Sequence, residues 1–227
     1  MDMFTNTNPS PLTSDTTENL DECFVLSYYS RMRAVSNLLP LLRRAREARI
    51  LSVLNAGKEA SMYETDLGLS NPDSWSLMRT VNNTTTMHTL ALDHLAAQPQ
   101  NAKVVFMHAY PGWVKTGIFK HLEPTQDAGL LWMGCLAVLR QVAKGAIWWG
   151  GITPEECGER QVFQLLAEQF EVGEGVKREC ILLGWQSDVV EGNAVLEGYR
   201  KDGWPARVWG FTEDVFQRVC SSASLRP

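Results

Sequence analysis

Apolar residues recur along the chain in two alternating rhythms. From Leu20 to Arg46, the residues Phe24, Val25, Tyr28, Met32, Val35, Leu38, Leu39 and Leu42 return at helical spacing. Arg43, Arg44 and Arg46 gather where a helix dipole favours cations, so the pattern predicts one long helix with a single buried stripe. Arg49 to Asn55 is instead a short apolar run closed by Ala56 and Gly57, the pattern of a strand buried on both faces. A loop rich in Gly, Asp, Ser, Asn and Pro reaches Asp73. A second helix is expected from Ser74 to Gln98, and Lys103 to His108 reads as a second buried strand ending in Ala-Tyr-Pro-Gly. Helix, buried strand, helix, buried strand is the order of a parallel sheet with crossover helices.

The C-terminal third predicts a helix from Gln126 to Ala143, a loop through Trp148 to Gly151, a strand from Ile181 to Trp185 and a last helix from Trp204 to Ser221. Between them, Thr153 followed by Pro154 and Glu156 is a helix start: a capping hydroxyl, a proline at the first turn and an acid three residues on. Residues 1–19 are mostly Thr, Asn, Ser and Pro with little to bury and read as a disordered arm. Residues 20–227 read as one domain.

Composition narrows the function classes. With 44% apolar and 21% charged residues the chain is an ordinary globular protein, and a net charge of -5 argues against binding nucleic acid or anionic lipid. Five scattered cysteines without a C-x-x-C pair fit neither a disulfide framework nor a zinc site, and the histidines are not spaced for a shared metal. The first twenty residues lack a basic segment followed by an apolar one, and the apolar stretch from Ala128 to Ile152 is broken by Arg140, Lys144 and glycines. A cytoplasmic protein with no membrane span and no metal is expected.

Three segments resemble the latter half of a short-chain dehydrogenase/reductase, and most of all an NAD(P)-binding branch common among fungal proteins. His108-Ala-Tyr-Pro-Gly-Trp-Val-Lys-Thr116 is similar to the family's P-G-x-V-x-T segment. Leu38 to Arg43 with Arg49 to Asn55 is similar to the helix and strand that carry its N-x-S-S element. Thr153 to Arg160, with Tyr199, Arg200 and Val208 to Thr212, is similar to the fungal branch's C-terminal extension. The resemblance implies an α/β fold: a truncated Rossmann-like parallel sheet flanked by helices, with a helical C-terminal extension. It also implies an oxidoreductase of secondary-metabolite biosynthesis that uses NAD(P), with Thr116 meeting the cofactor. The glycine-rich turn with which the family cradles the pyrophosphate has no counterpart before Leu20. Aligned by Met87 and Leu90, Thr80 and Thr84 stand where the family has its catalytic Tyr and Lys. An aliphatic hydroxyl does not replace a phenol as acid, so hydride transfer by the family's mechanism is expected to be absent.

Open parallel sheets bind ligands beyond the carboxyl ends of their strands, which nominates Asn55, His108, Tyr110 and Thr116. His108 and Tyr110 are the candidate acid or base groups; Asn55, Thr80 and Thr84 are candidate substrate contacts. Each has a plainer alternative: a histidine satisfied by backbone, a tyrosine packing a turn. Asn82 to Thr86 form a polar patch expected at a helix start, as caps, exposed surface or a binding site. Lys58 and Glu59 are expected as a solvated loop pair, and Trp132, Trp148, Trp149 and Trp185 in core or interface packing, with aromatic anchors around an apolar ligand as the alternative. Three functions remain open: an oxidoreductase of the family acting on a small molecule; a redox-independent isomerase, cyclase or dehydratase in the remaining crevice; and a non-catalytic protein that forms a homo-oligomer or pairs with an intact homologue.

Overall fold

The computed structural model describes residues 16–115, 141, 145, 148–170 and 178–223. The predicted first helix begins at α1 (Glu22–Phe24), where Asp21 accepts the Phe24 amide at 2.7 Å. It continues through a π-helical turn at Val25–Tyr29 into α2 (Ser30–Leu42). Phe24, Tyr28, Met32, Val35 and Leu39 form its buried stripe, as the spacing requires. The expected apolar strands are β1 (Ala48–Val53) and β2 (Val104–Ala109), joined by a long loop and by α3 (Leu77–Ala97), which Ser76 caps.

The third strand, β3 (Ile181–Leu183), lies on the far side of β2 and completes a parallel sheet in the order β1-β2-β3. The central position of β2 explains its run of six buried residues. The C-terminal region supplies α4 (Pro154–Leu166), opened as expected by Thr153, then α5 (Ala194–Lys201), which the sequence pattern does not predict, and α6 (Trp204–Ala223). The protein is therefore α/β, a Rossmann-like parallel sheet flanked by helices. Among the described residues no helix is long and apolar enough to cross a membrane. Residues 1–15 of the expected arm, Thr116, Trp132 and all but Gln141 of the helix expected over 126–143 lie outside the described residues.

Strand alternation divides the core into two layers. Val104 and Phe106 face the larger cluster with α1, α2, α3 and α6, whereas Val105, Met107 and Ala109 face a smaller one with Phe170 and Leu183. His108 follows the parity of Val104 and Phe106 and so points under α3.

The polar patch on α3 is the largest departure from expectation. The helix starts at Leu77, and Thr80, Asn83, Thr84, Thr85, Thr86, His88 and Thr89 are buried within it. The loop after β1 folds over this stripe. Ala60 donates its amide to Thr86 Oγ1 at 2.9 Å and accepts the same hydroxyl at 2.7 Å; Tyr63 donates to Asn83 Oδ1 at 2.8 Å; Asn83 Nδ2 donates to the Leu67 carbonyl at 3.0 Å. Helix side chains thus satisfy backbone groups on the inner side of a loop that has no ladder of its own.

Candidate functional site

A pocket of about 570 Å³ opens at the carboxyl ends of all three strands. The segment after β1 contributes Ala56, Gly57 and Lys58, that after β2 Tyr110, Gly112 and Trp113, and that after β3 Gly184, Trp185, Asp188 and Val190; Gly150 and Ile152 close the remaining side. Hydrogen bonds continue from the ladder into these loops. The Leu54 amide donates to Ala109, Tyr110 donates to Leu183, and Trp113 and Lys115 bond Ile152 in both directions. Gly112 has φ +76, and a Cβ there would lie 2.9 Å from Trp185 Cβ; its missing side chain lets the turn after β2 lie against Trp185.

His108 sits beneath this pocket with no exposed surface. Its Nε2 accepts the Asn55 amide at 3.2 Å, so the ring proton resides on Nδ1. Nδ1 lies 2.8 Å from Thr89 Oγ1, and that hydroxyl in turn donates to Glu59 Oε1 at 2.7 Å. One imidazole therefore pins both ends of the loop from Asn55 to Glu59, and the Lys58 amide closes its turn on the Asn55 carbonyl at 3.0 Å. Burial, and secondarily the charge of Arg31, push the His108 pKa down to about 3, which keeps the ring neutral. His88 stacks 4.8 Å from it and is also pushed well below the ordinary range, first by burial and then by His108 and Arg31.

The expected site residues separate into three groups. Tyr110 lines the pocket, half-buried, with Lys58 Nζ 5.7 Å from its ring centroid. Asn55 and His108 lie at the strand ends but are bonded to each other; the Asn55 side chain also turns inward, 3.5 Å from Thr85 Oγ1. Thr80 and Thr84 are buried in α3 and return their hydroxyls to the carbonyls of Ser76 at 3.1 Å and Thr80 at 2.7 Å, so they are not brought to the pocket.

Three expectations are corrected. Glu59 is 4% exposed and not a solvated partner of Lys58, because the loop turns it back under α3. Asn83 to Thr86 are buried rather than exposed or capping. Trp148 and Trp149 are 72% and 87% exposed, outside the core. Trp113 and Asp188 are the site residues that the sequence does not nominate, while Lys58, expected as a solvated loop residue, and Trp185, for which packing is the plainer expectation, also line the pocket; the strand-end rule applied to every position after each strand would have found all but Asp188.

No family model matches the chain. An oxidoreductase of Emericella nidulans is 30% identical over 91% of the chain and 64% of its own length. The oxidoreductase lepF of Aspergillus flavus is 32% identical, with 95% of this chain and 68% of lepF covered. The chain belongs to this family of fungal oxidoreductases. A further relative, the NmrA-like family domain-containing oxidoreductase notO of an Aspergillus species, is 33% identical over 89% of the chain and 59% of notO. The chain thus spans about two thirds of the length of these family members.

Proposed function

We propose that the pocket at the strand ends holds a small organic substrate for an NAD(P)-dependent oxidation or reduction in fungal secondary-metabolite biosynthesis. The observation that carries this reading is the place of the pocket, on the side where open parallel sheets bind ligands, in a chain of an oxidoreductase family. In this reading the Tyr110 phenol gives a proton to, or takes one from, the substrate oxygen, and Lys58 stabilises negative charge developing there. His108, with Thr89 and Glu59, is a positioning residue that fixes the loop carrying Lys58. A nicotinamide cofactor, when bound, would give or take the hydride.

Among the described residues, the helix N-termini that follow β1 and β3 do not fit the pyrophosphate of such a cofactor. A dinucleotide needs free backbone amides at a helix N-terminus after a strand. At α5, which follows β3, Asn193 Oδ1 already takes the amides of Val195 at 3.1 Å and Leu196 at 3.0 Å. At α3, Ser76 Oγ takes that of Arg79 at 3.2 Å. Reduced nicotinamide mononucleotide and NADPH are therefore expected to bind with affinities within about threefold of each other, since the adenosine half gains no contacts. Calorimetric titration of the chain with each compound tests this. Binding of neither, or NADPH binding a hundredfold tighter, contradicts it.

That the described helix N-termini after β1 and β3 are capped by their own side chains is the observation that favours a redox-independent isomerisation, cyclisation or dehydration in the same pocket. His108, neutral and buried, leaves Tyr110 as the acid in that case.

A further inference from the structure

The walls of the pocket describe what it holds. Three of its lining residues, Tyr110, Trp113 and Trp185, are aromatic. Trp204 and Trp209 are spent on packing: Trp204 stands 5.4 Å from Tyr199, and Trp209 stacks 6.0 Å from His94, both buried. Trp113 is instead 58% and Trp185 39% exposed. One face of Trp185 is held by the Arg160 guanidinium, 4.7 Å from its centroid, and Arg160 Nη1 also donates to the Trp185 carbonyl at 2.8 Å. Trp185 is thus held in place without being buried.

The positions between them carry almost no side chain. Gly112 admits Trp185, and a Cβ on Gly184 would meet Asp188 Oδ1. Trp185 and Asp188 thus lie closely against the turns that follow β2 and β3. Lys58 is the cation of the lining and Asp188 its carboxylate, and the Lys58 ammonium stands on the Tyr110 side.

We infer that the substrate is a planar aromatic ring system bearing an anionic or carbonyl oxygen, stacked between these walls with its oxygen directed at Lys58. This rests on reading the pocket as the substrate site. Aromatic faces prefer offset-stacked or edge-on partners over aliphatic ones of equal area, and a cation adds preference for oxygen acceptors. Lys58 is then the specificity-determining residue of the site, and Trp113 its main stacking surface.

Calorimetric titration of the whole chain with three probes tests the inference: 2-naphthoate, cyclohexanecarboxylate and 2-naphthalenemethanol. 2-Naphthoate is expected to bind saturably, one molecule per chain, and about tenfold more tightly than cyclohexanecarboxylate. Lys58→Met should weaken 2-naphthoate about fivefold and leave 2-naphthalenemethanol within about twofold. Trp113→Ala should weaken both naphthalene probes, and Trp149→Ala, outside the lining, should change neither. Equal binding of the cyclohexane and naphthalene acids, no binding of 2-naphthoate, or indifference to both Lys58→Met and Trp113→Ala would overturn the inference. The nicotinamide titration is read separately. Naphthoate binding without nicotinamide binding keeps this ligand class and sinks the redox reading, and the converse sinks the ligand class alone.

Discussion

Replacement of Arg200 by methionine is expected to lower the free energy of unfolding by about 3 kcal/mol, because it leaves a buried carboxylate without its counter-charge. Asp93 on α3 is 4% exposed. Its oxygens accept Arg200 Nε at 2.9 Å and Nη2 at 3.1 Å, and Oδ1 also accepts the Cys180 amide at 2.8 Å. Burial raises the Asp93 pKa, and the hydrogen bonds and charge of Arg200 oppose that rise. The guanidinium further reaches Glu197 at 2.7 Å and Glu179 at 3.6 Å, so one side chain ties α3, α5 and the approach to β3. Removing both members, as Asp93→Leu with Arg200→Met, should recover at least half of the loss, since no charge is then left stranded. Urea denaturation measures both. A loss below about 1 kcal/mol for Arg200→Met, the range of an exposed ion pair, contradicts the assignment.

Acidification should destabilise the protein well above the pH at which carboxylates titrate. An imidazole in the unfolded chain titrates near its ordinary 6.5, and His108 in the folded chain only at about 3. Between those values the unfolded state binds more protons, so each step down in pH favours unfolding. From pH 6.5 to pH 5 the loss from His108 amounts to about 2 kcal/mol, and it stops growing below the folded value. His88 adds a loss in the same direction, while Asp93, raised by burial, acts oppositely at lower pH. Both nitrogens of His88 are buried with no hydrogen-bond partner among the described residues. His88→Leu should accordingly keep stability at pH 7 within about 1 kcal/mol of the parent and give a shallower pH dependence. Denaturant midpoints at pH 7, 6 and 5 for both proteins check this; a flat parent curve over that range contradicts a buried neutral His108.

β2 and the long helices were legible because burial on both faces, or on one stripe, imposes a pattern that local sequence cannot hide; β1, expected to be buried on both faces, lies at the sheet edge with only Ala48 and Ser52 buried. Val104 to Ala109 is apolar apart from His108 because it is the central strand, and Phe24, Tyr28, Met32, Val35 and Leu39 can share one face only in a helix. Helix α5 escaped notice because its eight residues turn only Leu196 and Tyr199 fully inward and include Gly198. The polar patch from Asn83 to Thr86 was misread because Asn83 and Thr86 take backbone groups of a loop as partners, and nothing in the sequence says where a loop without strand or helix will lie. At the site, the strand-end rule brought Tyr110 to the pocket. It nominated His108 too, but not the parity that turns its ring away beneath α3. The turn after β2 lies against Trp185 because Gly112 adopts a positive φ, and Asp188 reaches the pocket through the turn at Ser187, φ 65; both are tertiary choices that residue types alone permit without requiring.

The reaction class is tested most directly by deleting the gene in the producing organism and comparing accurate masses of its metabolites with those of strains restored by the parent gene or by Lys58→Met. An oxidoreductase working at this pocket predicts that the compound accumulating in the deletion strain differs from the lost product by two hydrogen atoms, and that Lys58→Met restores less product than the parent gene does. An accumulating compound of the same mass as the product, or one differing by a molecule of water, would contradict the redox assignment and identify an isomerase, a cyclase or a dehydratase instead.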